Sequence, residues 1–344
     1  MTKKINLGLI GAGRIGRLHA EHLAYHIPDA NLVVVSDVDA EAAEVLAADF
    51  EIPLALTDYR RIMEDEAVEA VAICSSTDTH AQIVADAAAV GKHIFCEKPL
   101  DFDLVKIDRV LAAVEEAGVK LQVGFQRRFD DNFRRAQEIV ASGEIGTPHI
   151  LRITSRDPEP PPIEYIKVSG GIFLDMTIHD FDTARFLIGS EVEEIYTAGG
   201  VLVDPQIGDA GDIDTAIITL RYANRTLGTI DNSRKAVYGI DMRYEVFCSN
   251  GIVGVFNNDA GWTSGPDVQD SSGVHSSLPS FEFQELYRES YIAEMKSFVE
   301  CVQHDRAPLV TGIDARMPVV MGYAAQKSLE ENRPVRLSEV DGSG

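Results

Sequence analysis

The amino-acid sequence predicts an α/β fold in two domains. A doubly wound parallel sheet is expected over residues 1–124, and an α+β domain with a large, open, mainly antiparallel sheet over residues 125–340. Before residue 124, short apolar strands alternate with helices, which is the pattern of repeated β-α-β units and of a parallel sheet covered on both faces. After it, longer alternating runs separated by Asn and Gly turns dominate, which is typical of an antiparallel sheet with one covered face.

The N-terminal elements follow one another at the spacing of a doubly wound sheet. Apolar, β-branched runs predict strands at Ile5–Ile10, Leu32–Ser36, Ala70–Cys74, His93–Cys96 and Lys120–Val123. Helices are predicted between them at Arg14–Tyr25, Ala40–Asp49, Thr79–Val90 and Asp103–Ala117.

The C-terminal elements begin with a predicted helix, Asn132–Ser142, and a strand, His149–Ser155, before a proline-rich loop at 157–162. The apolar positions of the segment 170–182 predict a helix. Strands are then expected at Glu193–Ala198, Thr215–Tyr222, Thr226–Ser233, Arg243–Cys248 and Gly251–Phe256. The glycine- and serine-rich stretch 264–278 predicts an exposed loop, and helices are predicted at Glu285–His304 and Asp314–Asn332.

Composition sets broad limits on function. The 344 residues suffice for two hydrophobic cores, and 31 basic against 55 acidic residues give a formal net charge of −24. This charge repels phosphate backbones, and the apolar runs are too short to span a membrane, so neither nucleic acid nor a membrane is an expected partner. The N-terminus runs directly into a strand without a signal-peptide apolar region, so a cytoplasmic location is expected. The four cysteines are scattered in apolar contexts, so we expect buried thiols and no metal site.

A glycine-rich motif, Gly11-Ala12-Gly13-Arg14-Ile15-Gly16, follows the first predicted strand and opens the first helix. In this dinucleotide-binding (Rossmann) fingerprint, the first glycine permits a tight turn and the second lets the backbone approach a pyrophosphate. The third lets the helix pack closely on the strand. Gly11, Gly13, Arg14, Ile15 and Gly16 are therefore predicted to bind the cofactor.

Asp37 supplies the acidic residue that this fingerprint requires at the end of the second strand, about 20 residues further on. A carboxylate accepts hydrogen bonds from the ribose hydroxyls of NAD but repels the 2′-phosphate of NADP. Val38 and Asp39 add no basic side chain that would neutralise such a phosphate. The sequence therefore predicts NAD as the cofactor.

The tripeptide Glu97-Lys98-Pro99 comes at the carboxyl end of a predicted parallel strand, at the edge where open α/β sheets bind ligands. Lys98 is either a surface lysine that extends its ammonium into solvent or a fixed ammonium beside the cofactor. Pro99 restricts the preceding residue to extended geometry, so the position is rigid in either case.

Asp175 and His179 are four residues apart in the predicted helix 170–182 and would therefore share one helix face. A carboxylate and an imidazole in the same space suit proton transfer near neutral pH. A pair at this spacing is more often a surface ion pair or a structural histidine than a catalytic base. The dinucleotide fingerprint and Lys98 favour the catalytic alternative.

The chain resembles the glucose–fructose oxidoreductase/inositol dehydrogenase/rhizopine catabolism (Gfo/Idh/MocA) family over essentially its whole length. The motifs that carry this resemblance are Gly11–Gly16, Thr77–His80, Gly91–Pro99 and the segment 170–182. More narrowly, the chain is similar to the bacterial myo-inositol 2-dehydrogenases of that family at Gly124–Asp130, Arg156–Pro158 and Tyr238–Val246. The run Ser75-Ser76-Thr77-Asp78 departs from the family's common Thr-Pro after the third strand.

The resemblance implies hydride transfer from a secondary alcohol of a cyclic polyol to the nicotinamide of NAD, with myo-inositol oxidised to 2-keto-myo-inositol (scyllo-inosose). In the matching positions, Lys98 orients the substrate and steadies the developing alkoxide. Asp175 helps to hold the substrate and the imidazole, and His179 takes the hydroxyl proton. The resemblance adds Ser76, Thr77, His80, Glu97 and Lys98 to the expected cofactor contacts. The expected polyol ligands are Lys98, Arg128, Asp157, Asp175, His179 and Tyr238.

Two alternatives to this function remain at the level of the sequence. Within the family, the substrate is another inositol isomer, such as scyllo-inositol, or an aldose. In a different class, the chain is a non-catalytic NAD-sensing regulator, which would have little reason to keep Lys98, Asp175 and His179 together. The resemblance also implies a homotetramer formed through the open sheet, and it places Tyr287 or Tyr291 at the border of the site.

Overall fold

The computed structural model describes residues 3–255, 268–270, 273–275 and 282–342, and the chain forms two compact units. Unit 1 comprises Met1–Phe129 and Glu289–Arg316, and unit 2 comprises Asp130–Arg288 and Met317–Gly344. The first boundary falls a few residues after the predicted one. The segment Glu289–Arg316 belongs to unit 1. The prediction had placed it in the C-terminal domain over residues 125–340.

Unit 1 is built on a six-stranded parallel sheet. Its strands are β1 (Ile5–Ile10), β2 (Ala30–Ser36), β3 (Leu54–Leu56), β4 (Ala70–Ile73), β5 (His93–Glu97) and β6 (Leu121–Gly124). They are arranged in the order β3-β2-β1-β4-β5-β6, so the chain reverses its direction of winding between β1 and β4. The carboxyl ends of β1 and β4 form the topological switch point, where doubly wound sheets bind their ligands.

Five helices connect these strands. They are α1 (Arg14–Tyr25), α2 (Ala40–Asp49), α3 (Arg60–Glu64), α4 (Thr77–Ala89) and α5 (Leu104–Ala117). The Asp39 side chain caps α2 by accepting hydrogen bonds from two backbone N–H groups, and the Asp103 side chain caps α5 by accepting one, from Val105. The short elements β3 and α3 were not predicted, since three and five residues carry too little periodicity.

Unit 2 is built on a seven-stranded sheet of order β12-β11-β7-β10-β9-β8-β15. The strands from 130 onwards are β7 (Pro148–Arg156), β8 (Val192–Gly200), β9 (Thr215–Tyr222), β10 (Leu227–Ser233), β11 (Asp241–Cys248), β12 (Gly251–Val255), β13 (Val268–Asp270), β14 (Gly273–His275) and β15 (Val335–Arg336). Neighbouring strands of the large sheet are antiparallel except β7 and β10, which are parallel. The predicted fold class, including the mainly antiparallel second sheet, is confirmed.

The remaining helices are α6 (Asp131–Ser142), α7 (Ile163–Ile166), α8 (Gly171–Asp175), α9 (Thr177–Ile188), α10 (Pro205–Asp209), α11 (Phe283–Leu286), α12 (Arg288–Gln303) and α13 (Gly312–Glu331). The single helix predicted around 170–182 is divided into α8 and α9 at Met176. The Met176 N–H still donates to the Ile172 carbonyl at 3.0 Å, so the backbone keeps an almost helical course through the division.

The segment 289–316 joins unit 1 because its apolar residues complete that unit's core. Met295, Phe298 and Val299 are fully buried in the cluster that also contains Leu7 and Phe95 from the parallel sheet. The rings of Phe95 and Phe298 are 6.0 Å apart. The sequence carried no signal that a helix after residue 288 returns to this core.

The predicted exposed loop at 264–278 lies largely outside the described residues, as does Phe256. Residues 268–270 and 273–275 pair as a short antiparallel ladder. Across the described parts of the chain, every helix is too short or too polar to cross a membrane.

Candidate active site

The fingerprint glycines of unit 1 have the backbone geometry that their predicted roles require. Gly11 has a φ of +102°, and a Cβ atom there would lie 2.5 Å from the Cys74 carbonyl. A Cβ atom at Gly16 would lie 1.9 Å from the Gly11 carbonyl oxygen, so α1 can approach β1 and β4 only without it. At Gly13, by contrast, a Cβ atom would meet nothing within 4 Å. The first and third glycines therefore serve packing, and the second leaves open the space that a pyrophosphate requires.

The amino end of α1 suits an anion. Gly13 is the residue before its first turn, no side chain caps this end, and no acidic residue lies in the first turn. Backbone N–H groups and the positive end of the helix dipole therefore point toward the space beside Gly13. Arg14 is exposed, and Ile15 is partly buried against the core of unit 1.

Asp37 is fixed beside the fingerprint loop. Its Oδ2 accepts a hydrogen bond from the Ala12 N–H at 2.6 Å, and its Oδ1 accepts one from the Asp39 N–H at 2.9 Å. The neighbouring Val38 is 94% exposed. The residue that would bind the ribose is thus tied to the loop that would bind the pyrophosphate, and the residues present fit NAD.

The loop after β4 is held by hydroxyl groups and by His80. The hydroxyls of Ser75 and Thr79 are 2.7 Å apart, and Ser76 and Thr77 open α4. His80 is buried, with Nδ1 2.8 Å from the Pro99 carbonyl and Nε2 3.0 Å from the Ser75 carbonyl. This histidine therefore joins the loop after β4 to the residues after β5. Its direct contact with the cofactor stays a prediction.

Glu97 fixes the backbone of Lys98. Its Oε1 is 2.7 Å from Nε2 of His19, and its Oε2 accepts the Lys98 N–H at 3.3 Å. A Cβ atom at Gly124 would lie 2.9 Å from the same Oε2, so this glycine makes room for the carboxylate. Lys98 is half-buried at the carboxyl edge of the sheet, and its peptide bond to Pro99 is cis.

His19 is a residue of this region that the sequence reading missed. It lies three residues after Gly16, on the face of α1 toward the sheet, and is fully buried. The Tyr291 ring packs edge-on against it at 5.7 Å. The signal that could have found His19 is this helical spacing from the last fingerprint glycine. Tyr291 is thereby placed in the interior of unit 1, and Tyr287 is buried in unit 2.

His19, Glu97 and Glu294 also form a group of potential metal ligands, all buried, with their ligand atoms within 4.8 Å of one another. The contact between His19 and Glu97 is already a hydrogen bond at 2.7 Å. An ion at this point would have to separate these two groups, so we interpret His19 as a hydrogen-bonding support for Glu97.

Arg128 has a defined partner within unit 1. Its side chain is 8% exposed, and Nη2 donates to Asp314 Oδ1 at 2.9 Å. The other oxygen of Asp314 accepts hydrogen bonds from the N–H and hydroxyl of Thr311. The guanidinium is therefore held in one orientation, which suits the predicted ligand-binding role.

In unit 2, both oxygens of Asp175 accept hydrogen bonds. Tyr165 donates to Oδ1 at 2.9 Å, and Nη1 of Arg234 donates to Oδ2 at 3.1 Å. Arg234 is a second residue that the sequence reading missed. No motif marks it, and it reaches Asp175 from 59 residues away.

His179 is half-buried in the first turn of α9. Its N–H donates to the Met176 carbonyl at 3.3 Å, and its carbonyl accepts the Thr183 hydroxyl at 2.7 Å. The next residue, Asp180, is fully buried and accepts a hydrogen bond from Asn232 at 2.8 Å. The backbone that carries His179 is thus anchored to β10.

The other two predicted polyol ligands of unit 2 lie near the ends of β7 and β11. The Tyr238 hydroxyl donates to Asp241 Oδ2 at 2.6 Å and accepts from Arg156 Nη1 at 3.1 Å. Burial, followed by the hydrogen bond to Asp241, raises the pKa of this tyrosine. Asp157 follows β7 and pairs through its backbone with Ser233.

Unit 1 has the dinucleotide-binding fold with a fixed acidic residue, Asp37, at the end of β2, and unit 2 of the same chain carries a carboxylate and an imidazole on consecutive helices. This combination is typical of an NAD-dependent oxidoreductase. Residues 5–125 match the model of the oxidoreductase family with an NAD-binding Rossmann fold, and residues 133–254 match the Gfo/Idh/MocA C-terminal domain. The chain belongs to the Gfo/Idh/MocA family. The predicted family and the predicted cofactor, NAD, are confirmed.

Similar proteins cover almost the whole chain. The chain is 49% identical to the myo-inositol 2-dehydrogenase of Thermotoga maritima over 338 aligned residues. The alignment covers 98% of this chain and 100% of that protein. A solved structure of a probable dehydrogenase from Thermotoga maritima has a TM-score of 0.94 and 48% identity, covering 98% of this chain and 100% of that one. The scyllo-inositol dehydrogenase of Lactobacillus casei, solved with NAD(H) and scyllo-inositol, has a TM-score of 0.90 and 26% identity, with 98% and 100% covered.

The fingerprint geometry predicts that one glycine substitution weakens cofactor binding and another lowers stability. Gly13→Ala should leave the Tm unchanged, because its φ of −69° suits alanine and its Cβ meets nothing, yet it should weaken NADH binding by about tenfold or more. Gly16→Ala should lower the Tm by about 5 °C, because its Cβ overlaps the Gly11 carbonyl. Differential scanning fluorimetry and NADH fluorescence titration measure both. Unchanged NADH affinity in Gly13→Ala would contradict the assignment.

Proposed function

We propose that the chain oxidises myo-inositol at C2 to 2-keto-myo-inositol, with NAD as hydride acceptor and His179 as general base. The observation that carries the proposal is the Asp175 carboxylate, held at both oxygens one helical turn before His179. The 49% identity with a myo-inositol 2-dehydrogenase over nearly the whole chain supports the choice of substrate.

The proposed reaction divides the work between the residues as follows. A secondary alcohol is too weak an acid to ionise near pH 7, so its hydroxyl proton must pass to a base while the C–H hydride leaves. His179 accepts this proton, and the C–O bond becomes a carbonyl. NAD supplies the hydride acceptor. The Lys98 ammonium stabilises the negative charge that develops on the substrate oxygen.

Asp175 acts in this proposal as an acceptor and not as the base. It already receives hydrogen bonds from Tyr165 and Arg234, and a carboxylate with these donors is suited to orient a substrate hydroxyl or the His179 ring. Arg128, Asp157 and Tyr238 are proposed to bind further hydroxyl groups, since a polyol requires several convergent donors and acceptors.

Two alternatives have some support. The 26% identical relative from Lactobacillus casei binds scyllo-inositol on the same fold, so another inositol isomer, or an aldose, is the second candidate substrate. A non-catalytic NAD sensor would share unit 1. Such a sensor would not need the hydrogen bonds that fix Asp175, so we favour an enzyme over a sensor.

A substrate panel tests the proposal. The compounds are myo-, scyllo- and chiro-inositol and glucose, each oxidised with NAD while NADH absorbance at 340 nm is recorded. We expect kcat/KM to be highest for myo-inositol. A clear preference for scyllo-inositol or glucose would replace the substrate and keep the reaction type. NADH binding without turnover of any of these compounds would favour the regulator.

The pH profile tests the base. Only the neutral imidazole accepts a proton, so kcat for oxidation should fall at low pH, where His179 is protonated, and rise as pH increases through its ionisation. His179→Ala should lower kcat by about 10²–10⁴-fold and remove this limb of the profile. His304→Ala, at an exposed histidine in unit 1, is the control and should leave the profile unchanged. If His179→Ala kept the limb, the base would be another group, with Lys98 the first candidate.

The open face of the large sheet supports a homotetramer. Leu227, Ile150, Phe247 and Ile252 are cross-strand neighbours in one row over β10, β7, β11 and β12. Leu227, Phe247 and Ile252 are 44–53% exposed. A row of this kind is typical of a surface that a second subunit covers.

Sedimentation equilibrium should give about 150 kDa, four times the 37.6 kDa of one chain. Phe247→Glu should dissociate the assembly, because it places a charge in the row. Val105→Glu, at a 56% exposed valine on α5, is the control and should not. A monomeric wild-type protein would exclude the tetramer.

A further inference from the structure

The Arg234 side chain is among the most buried charged groups of unit 2. It is 1% exposed and follows the last residue of β10. Its Nη1 donates to Asp175 Oδ2 at 3.1 Å, and its Nη2 donates to Asp212 Oδ2 at 3.4 Å. Its own N–H donates to the Asp214 carbonyl at 2.9 Å, which fixes the backbone from which the guanidinium extends. The planar fork of an arginine can join two carboxylates in this way, whereas a lysine ammonium is a single point charge.

Asp212 connects the same guanidinium to the start of α8. Its Oδ1 accepts the Ile172 N–H at 3.0 Å in the first turn of that helix. Gly171 has a φ of +76°, and a Cβ atom there would lie 2.9 Å from this oxygen. The carboxylate therefore caps α8 at close range, and Gly171 leaves the room for it.

These contacts hold α8 at both ends. Through Asp212, Arg234 is joined to the first turn of α8, and through its direct hydrogen bond it is joined to Asp175, the last residue of α8. The only residue between α8 and α9 is Met176, so the orientation of α8 determines where α9 begins and where its third residue, His179, projects.

We propose that Arg234 is a positioning residue for the oxidation: it fixes Asp175 and the α8–α9 segment that carries His179. The inference rests on the proposed function, since it assigns Arg234 a part in the reaction that Asp175 and His179 are proposed to perform. As a positioning residue, Arg234 does not itself touch the reacting atoms. It acts through the two carboxylates that it joins.

Three variants separate positioning from simple stability. Arg234→Met removes the guanidinium and leaves two carboxylates facing one another without it, so it should lower both Tm and kcat. Arg234→Met combined with Asp212→Asn removes one of the facing charges and should recover much of the lost Tm. Asp175 still lacks its arginine in this double variant, so kcat should stay low. Arg234→Lys keeps the charge but not the fork, and should be intermediate in kcat.

Arg185→Met is the matched control. Arg185 is also in unit 2 with a side chain 7% exposed, and it makes a two-pronged ion pair with Glu191 at 2.6 and 2.8 Å. It lies in the last turn of α9, far along the helix from His179. Its loss should lower Tm and leave kcat per folded enzyme unchanged.

The measurements are Tm, kcat, KM for myo-inositol and the NADH dissociation constant of each variant. We expect Arg234→Met and the double variant to lose about 10²-fold in kcat, the usual effect of misplacing a catalytic group by about 1 Å. NADH affinity should stay within about twofold, because the fingerprint and Asp37 belong to unit 1.

A double variant that recovers kcat together with Tm would overturn the inference, since Arg234 would then serve stability alone. Wild-type kcat in folded Arg234→Lys and Arg234→Met would overturn it as well. Failure of the proposed function is distinguishable, because in that case the wild-type protein itself would turn over no polyol in the panel. Both proposals would then fall.

Discussion

The close approach of α1 to the ends of β1 and β4 is the constraint on which the cofactor unit depends. A Cβ atom at Gly16 would be 1.9 Å from the Gly11 carbonyl oxygen, and one at Gly11 would be 2.5 Å from Cys74. This packing turns the first helix so that its uncapped end faces the open space beside Gly13. Asp37 is tied to the same loop through the Ala12 N–H. The features that we expect to bind NAD therefore follow from a backbone arrangement that tolerates no side chain at two positions.

In unit 2, buried polar contacts hold the two proposed catalytic residues, Asp175 and His179. Asp175 is held by Tyr165 and Arg234, and the backbone after His179 is anchored through Asp180 and Asn232 to β10. Burying a guanidinium and several carboxylates is favourable only when each is paired, so these contacts depend strongly on one another. Such a network fixes its members in one arrangement, as the proposed placement of His179 as a base requires.

The sequence predicted the parts of the fold that local patterns determine. The bounds of α1 and α2 agree with prediction because a glycine motif and the Asp39 cap mark their starts. Contacts between distant segments could not be predicted. His19 reaches Glu97 across 78 residues, Arg234 reaches Asp175 across 59, and the segment 289–316 returns to the first core. Each depends on tertiary packing, which a single sequence does not encode in any short motif. The predicted site residues remain predictions for the same reason.

We propose that His179 takes the hydroxyl proton of an inositol while hydride leaves C2 and enters the nicotinamide. Oxidation of myo-inositol deuterated at C2 measures this most directly, with the reduced cofactor analysed by mass spectrometry. We expect one deuterium in every NADH molecule formed, and a slower turnover than with unlabelled substrate when the chemical step limits the rate. Unlabelled NADH from the deuterated substrate would show that hydride leaves another carbon, and would contradict the claim.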